Sequence, residues 1–288
     1  MKLFVRGLTV IDASYLERSR GFVGESYQVD VELDGQLNDE SMILDFSLVK
    51  KQIKAIIDAE VDHKLLVPHA YSLCSVAIEG ERTQIDYALD DKSIIQLRCP
   101  HQAFCLLESE EITTDLLETY LEQVILIKLP NNVKGLSIKL RPENITTPFY
   151  HYTHGLKKHN GNCQRIAHGH RSKIDIFING EYSEEWVSKW AMRWTDIYLA
   201  SESDVIDSME LSFSVKETEY LTHSSAYHAR QGYFELIMPA SRCEVINSDT
   251  TVEELARFIC ETIKQEHQSD TITVYAYEGI GKGAIVEL

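Results

Sequence analysis

Two distant stretches of this sequence are built to the same plan, and that constrains the fold more than any other feature. YQVDVELDG (Tyr27 to Gly35) alternates apolar and polar residues and closes on Asp-Gly; SKIDIFING (Ser172 to Gly180) alternates in the same way and closes on Asn-Gly. A period of two marks a half-buried strand, and both dipeptides favour turns. Gly35 and Gly180 stand 145 residues apart. Further on, ITTDLLETYL (Ile112 to Leu121) parallels TTVEELARFI (Thr250 to Ile259), each opening with Thr-Thr and continuing with helical spacing. Threonine caps helix N-termini, and Thr250 with Glu253 has capping-box spacing. Upstream, LRCPHQAFCLLESEE corresponds to LIMPASRCEVINSD; downstream, the strand-like LSIKLRPE ends at Glu143 and ITVYAYE at Glu278. Matching features in the same order indicate an internal duplication. The expected domains are 1–143 and 144–288, with the boundary near Pro142 to Pro148.

Each half reads as strand, strand, helix, strands, helix, strand. DFSLVKKQIKAIIDAE (Asp45 to Glu60) places Val49, Ile53, Ile56 and Ile57 on one helical face, whereas the short apolar run Val124 to Ile127 reads as strand. The expected class is α+β, with antiparallel sheets and helices on one face. With 45 acidic against 28 basic residues and a formal net charge of -17, the chain is a poor match for the phosphate backbone, and no nucleic-acid partner is expected. No apolar run reaches the roughly 18 residues that span a bilayer. The opening MKLFVRGLTVIDASY lacks a long apolar core and a small-residue cleavage site, so neither a membrane anchor nor a signal peptide is expected. The six cysteines are dispersed and form no CxxC, which suits free thiols in the cytoplasm.

The segment FYHYTHGLKKHNGNCQRIAHGHRSKIDIFING (149–180) concentrates chemistry. His168 and His170, two apart at the start of a strand, face the same way. Two imidazoles on one face suit a divalent metal, zinc above all, and His154 at the end of the preceding strand is the natural third ligand. Three protein ligands leave a fourth position open, as catalytic zinc sites do. His151 and His159 are the nearest alternatives; His223 and His228 are farther ones. Cys163 stands five residues before His168 in a Gly/Asn-containing loop with Lys157, Lys158 and Arg165 nearby, a setting that favours thiolate. At the aligned places the first half has Ser14 for His154, Val23 for His168 and Glu25 for His170. It carries instead Asp62 next to His63, a carboxylate–imidazole pair suited to acid–base work.

This order (His, Cys and HGH on two strands, Asp-Phe opening a helix, an Asp-His pair, a Thr-Thr helix start, a strand ending in Glu) resembles the 6-pyruvoyltetrahydropterin synthase and 6-carboxytetrahydropterin synthase family. The resemblance implies two tandem tunnelling-fold (T-fold) domains, each incomplete. The first half keeps Asp45-Phe46, Asp62-His63, Thr113-Thr114-Asp115 and Glu143; the second keeps His154, Cys163, His168, His170, Thr250-Thr251 and Glu278. It further implies zinc on His154, His168 and His170, and a 7,8-dihydroneopterin triphosphate substrate. Cys163 would be the proton-abstracting base and His63, oriented by Asp62, the relay. Glu278 or Glu143, with Thr250 and Thr251, would bind the pterin, and Lys157, Lys158, Arg165 and Arg171 would face the triphosphate. In the family the zinc ligands and the Asp-His pair come from neighbouring subunits, so the halves of a duplicated chain would share one site in a homo-oligomer, a dimer or larger. The product implied is 6-carboxytetrahydropterin, a queuosine precursor, or 6-pyruvoyltetrahydropterin. The competing reading is a catalytically inactive T-fold binding or assembly protein.

Overall fold

The computed structural model describes residues 1–288. The first half contains β1 (Lys2–Glu17), β2 (Gly21–Gly35), α1 (Phe46–Glu60), β3 (Leu65–Pro68), β4 (Cys74–Glu79), β5 (Arg82–Ala88), β6 (Ile94–Pro100), β7 (Phe104–Leu107), α2 (Thr114–Leu126) and β8 (Val133–Pro142). The second contains β9 (Phe149–His154), β10 (His168–Ile178), β11 (Glu181–Tyr182), α3 (Glu184–Arg193), β12 (Ile197–Ser201), β13 (Thr222–Ala229), β14 (Gly232–Pro239), β15 (Cys243–Ile246), α4 (Val252–Glu266), β16 (Ile272–Tyr277) and β17 (Gly283–Glu287). The two main sheets have the same order, β7-β3-β1-β2-β8 and β15-β12-β9-β10-β16, with β17 added at the end of the second. This is the T-fold twice over. Within each sheet the central strands are antiparallel, but β3 and β7, like β12 and β15, join in parallel. A helix or an inserted excursion returns the chain to the starting end before each of them begins.

Local signals set the helices. Asp45 caps α1 by accepting from the Ser47 and Leu48 N–H groups, and Thr113 caps α2 by accepting from Leu116. The cap of α4 is Thr251, which accepts from the Glu254 N–H, and not Thr250 as the capping-box spacing suggested. The run Val124 to Ile127 closes α2 rather than forming a strand: Ile125 is one of the α2 residues buried against the sheet. Val49, Ile53 and Ile57 of α1 pack with Leu117, Leu121 and Ile125 of α2 on one face of the first sheet. Trp186, Trp190, Leu255 and Ile259 cover the second sheet in the same way.

A third sheet, β13-β14-β6-β5-β4, has no counterpart in the repeat reading. Each half inserts strands between two parallel strands of its main sheet, and the insertions pair across β14 and β6 (Leu236 opposite Leu97). Its inner face shares a core with Leu16, Phe22, Ile166 and Tyr198, which ties the halves together. The main sheets also meet directly. A Cβ on Gly24 would lie 2.0 Å from the Tyr152 carbonyl oxygen and 2.5 Å from the His170 nitrogen; one on Gly169 would lie 2.8 Å from the Gly24 Cα. Only glycine permits this approach, and beside it Ser14 Oγ and Thr153 Oγ1 hydrogen-bond at 2.7 Å. No helix is long and apolar enough to cross a membrane.

Candidate active site

The β9–β10 register sets His154 opposite His168, with His170 opposite Tyr152. All three histidines are at most 1% exposed. Their ring centroids lie 4.4 Å (154–168), 5.4 Å (154–170) and 5.7 Å (168–170) apart, and one nitrogen from each lies within 4.8 Å of the others. His154 Nδ1 is 2.9 Å from the Thr250 carbonyl oxygen, and His168 Nδ1 is 3.1 Å from that of Arg165. A carbonyl only accepts, so each Nδ1 carries the proton and each Nε2 keeps a lone pair. The Nε2 atoms of His154, His168 and His170 are buried and without hydrogen-bond partners. Burial, reinforced by the neighbouring imidazoles, holds His154 and His168 well below the usual histidine range, which keeps them neutral. Three such nitrogens fit a three-histidine zinc site. The alternatives stand apart: His151 Nδ1 bonds the Gly24 carbonyl, His159 Nδ1 accepts from Gly161, His223 bonds Ser225, and His228 stacks on Tyr233.

An acidic residue from the first half completes the surroundings of the third histidine. Asp12 on β1 is 3% exposed, and its Oδ1 lies 3.2 Å from His170 Nδ1. Ser26 Oγ donates to the same oxygen at 2.5 Å, and Lys282 Nζ sits 3.2 Å from Oδ2. Burial would raise the Asp12 carboxyl, but His170 and Lys282 hold it well below the carboxylate range. Glu278 lies 3.8 Å from His170 Nε2 on the opposite side, with Lys282 3.8 Å from its other oxygen. The sequence reading missed Asp12 and Lys282. The visible signal for Asp12 was an acidic residue in the apolar stretch TVIDASY; Lys282 stood in an unremarked Gly-rich loop.

Asp62 and His63 lie beside this cluster within the same chain. His63 Nδ1 bonds Asp62 Oδ2 at 2.6 Å, and the other Asp62 oxygen accepts from the Asp12 N–H at 2.9 Å. The His63 ring is 5.2 Å from that of His168, and His63, Cys163 and His168 bring ligand atoms within 4.8 Å of one another. Burial pulls the His63 pKa down, yet hydrogen bonds to Asp62 and Cys163 outweigh it and raise the pKa to about 10. His63 has φ +53°, an unusual left-handed conformation, and its N–H is tied to the Asp12 carbonyl at 2.7 Å. Arg165 donates to the Asp62 and His63 carbonyls at 3.2 and 3.4 Å while its own carbonyl holds His168.

Other expected residues take different places. Thr250 holds His154 and borders a cavity of about 140 Å³, with Thr251, Lys157, Lys158, Asp204 and Asp249 also in its wall. The expected basic cluster is dispersed. Lys157 pairs with Asp204, Lys158 with Asp249 at 2.6 Å, and Arg171 packs over Phe149 with its Cζ 4.0 Å from the ring centroid. Alternation along β10 turns Arg171 away from His170. No hydrogen bond or ion pair joins Glu143 to the histidines; its Oε2 is buried without a hydrogen-bond partner.

One alignment needs correction. Ser14 pairs with Gly24 as Thr153 pairs with Gly169, and Tyr15 pairs with Val23 as His154 pairs with His168. The counterpart of His154 is therefore Tyr15, not Ser14. The β1–β2 turn is much shorter than the β9–β10 connection, so the offset of 145 after the turn becomes 139 before it, and only the strand register fixes the counterpart. In this counterpart cleft Asp196, φ +55°, takes the position of His63 and is clamped by Arg20 at 2.6 and 2.8 Å.

The family model for 6-pyruvoyl tetrahydropterin synthase matches residues 13–81 and 145–287. The chain belongs to this family. Among curated relatives, 6-carboxy-5,6,7,8-tetrahydropterin synthase of Haemophilus influenzae is 24% identical over 128 residues, 43% of this chain and 84% of the relative. Proteins provisionally given the same name in Pyrococcus horikoshii and Methanocaldococcus jannaschii are 23% identical over 130 residues (45% of this chain, 74% of the relative) and 31% over 109 residues (38% and 63%). The solved 6-pyruvoyl tetrahydropterin synthase of Plasmodium vivax aligns with a TM-score of 0.38 at 14% identity, covering 50% of this chain and 98% of that one. The matches to the curated relatives span less than half of the chain.

Proposed function

We propose that this tetrahydropterin synthase family member is a zinc enzyme acting on 7,8-dihydroneopterin triphosphate, of the 6-carboxytetrahydropterin type. The observation that carries the reading is the meeting, in one chain, of three unpartnered imidazole nitrogens with the Cys163–His63–Asp62 set. The 6-carboxy assignment draws on the names of the curated relatives. His154, His168 and His170 would hold the metal, which as a Lewis acid makes the substrate's side-chain hydroxyls and adjacent C–H more acidic. The Cys163 thiolate takes the proton from carbon. His63 exchanges protons with the substrate oxygen, and Asp62 fixes its Nδ1–H and stabilises its cationic form. Glu278, rather than Glu143, accepts paired hydrogen bonds from the guanidine-like edge of the pterin. Lys282, half exposed between Asp12 and Glu278, supplies positive charge in an otherwise acidic protein.

The working division is a T-fold unit over 1–143 that contributes the acid–base pair and one over 144–288 that contributes metal ligands and thiol. The reading includes assembly as a homo-oligomer through sheet edges, supported by the exposed Leu106 on β7, Val245 on β15 and Ile285 on β17; light scattering showing a stable monomer at micromolar concentration would reject it. The functional test is incubation of the zinc-loaded protein with 7,8-dihydroneopterin triphosphate and mass analysis of the products. A 6-carboxytetrahydropterin product is expected; a fully loaded protein without turnover would refute the proposal.

A further inference from the structure

Cys163 sits in a single 3-10 turn, Asn162–Gln164, within the irregular connection from β9 to β10. The turn has little regular structure of its own, yet it carries the thiol to the Asp62–His63 pair. Within its own connection the Leu156 N–H donates to the Cys163 carbonyl at 2.9 Å; side-chain support comes from outside the duplicated framework. The β13–β14 hairpin has a two-residue turn, Arg230–Gln231. The Gln231 N–H donates to Gln164 Oε1 at 2.7 Å, and its Nε2 donates to Asn162 Oδ1 at 2.9 Å. Its Oε1 accepts from Arg165 Nε at 3.1 Å. Gln231 thus contacts the residue before Cys163 and both residues after it. Tyr227 of the same hairpin donates to the Gln164 carbonyl at 2.9 Å.

The other ends of this network lie in the first half. Arg165, gripped by Gln231, donates to the backbone of Asp62 and His63. Gln102 of the first half donates to the Gln231 carbonyl at 3.4 Å, and β14 pairs with β6. We propose that Gln231 is a positioning residue for catalysis: through Asn162, Gln164 and Arg165 it fixes the Cys163 thiol against His63 and couples the two halves of the site. The third sheet is then the part of the fold that keeps the halves in register. Its inserted strands meet the site at this hairpin tip.

This inference rests on the proposed proton transfer by Cys163, and its test separates the two. Gln231→Ala is compared with Arg230→Ala, a change of the exposed neighbour on the same turn that makes no hydrogen bond. Displacing a reacting group by about 1 Å can cost on the order of 100-fold. Gln231→Ala is therefore expected to lower kcat by about 10- to 100-fold, leaving KM and zinc content at Arg230→Ala values. Amide exchange should quicken at residues 162–165 and stay unchanged in β9 and β10. A kcat equal to that of Arg230→Ala, or unchanged exchange at 162–165, overturns the proposal. So does a parallel fall in zinc content, which would make Gln231 merely structural. If the unmodified protein shows no pterin turnover, the functional reading fails by itself, and the exchange measurement still decides whether Gln231 holds the turn.

Discussion

Replacing Asp12 by Asn tests whether the first half helps to build the metal site of the second. The substitution preserves size and one oxygen but removes the charge from a side chain 3% exposed. His170 loses the carboxylate 3.2 Å from Nδ1, and Lys282 is left with Glu278 at 3.8 Å. Losing the outer partner of a metal-bound histidine typically costs 10- to 100-fold in metal affinity, or about 1.4–2.7 kcal/mol. A value near the top of that range is expected, because Asp12 is buried and its carboxylate is the one nearest to a proposed ligand histidine. Competition against a chromophoric chelator measures the zinc affinity directly, without turnover. Asp62→Asn is the control: its retained Oδ1 can still accept from the Asp12 N–H, and its other partner is His63, not a proposed ligand. Unaltered affinity in Asp12→Asn, within about twofold, would refute the reasoning, as would an equal loss in Asp62→Asn.

Three further predictions concern separate parts of the molecule. His168→Ala should lose bound zinc by elemental analysis, and one tightly held zinc per chain in that variant would reject the ligand set. Gly24→Ala should destabilise by about 3 kcal/mol or more, read by urea unfolding, because the new methyl would overlap the Tyr152 and His170 backbones. Burial raises Glu25 to about 7 from 4.5, against the pull of the Ser26 N–H and Arg171. The folded chain therefore retains this proton between about pH 4.5 and 7 while the unfolded chain releases it, so the group's contribution to stability falls as pH rises, by up to about 3 kcal/mol. Burial lowers the His151 pKa, which contributes the opposite slope. His151 Nδ1 stands 3.8 Å from Glu25, so subtracting the Glu25→Gln profile from that of the wild type reads the two groups together, and a flat difference would contradict the Glu25 shift.

The parts of the site legible in the sequence were those written locally. HGH on a strand, a histidine ending the preceding strand and an adjacent Asp-His pair each carry their geometry in their spacing. The duplication was legible because β2 and β10 repeat the same alternation and turn. The third sheet was not, because its pairing of β6 with β14 joins strands more than a hundred residues apart and leaves no periodic trace. Lys282 and Gln231 escaped for the same reason: each acts on residues of another element, and nothing beside them in the chain announces it; Asp12 left only the trace of an acidic residue in an apolar strand. The one-residue error at Ser14 arose because the connections differ in length: the offset is 145 after the turn and 139 before it, and only the strand pairing of Tyr15 with Val23 reveals the second value. Basic residues close in sequence scattered in space because alternation turns Arg171 away from His170, while loop carboxylates pair with Lys157 and Lys158.

The central claim is that one chain contains one complete site, with metal ligands and thiol from the second half and the acid–base pair from the first. His63→Ala and Cys163→Ala should each abolish most turnover while retaining zinc, since neither residue belongs to the proposed ligand set. Dissociating the two variants, mixing them and allowing them to reassociate tests the claim most directly. Each chain would still have a broken site, so no activity is expected to return even when mixed assemblies are verified by mass. Recovery of turnover above that of either variant alone would place the two halves of the site on different chains and contradict the account.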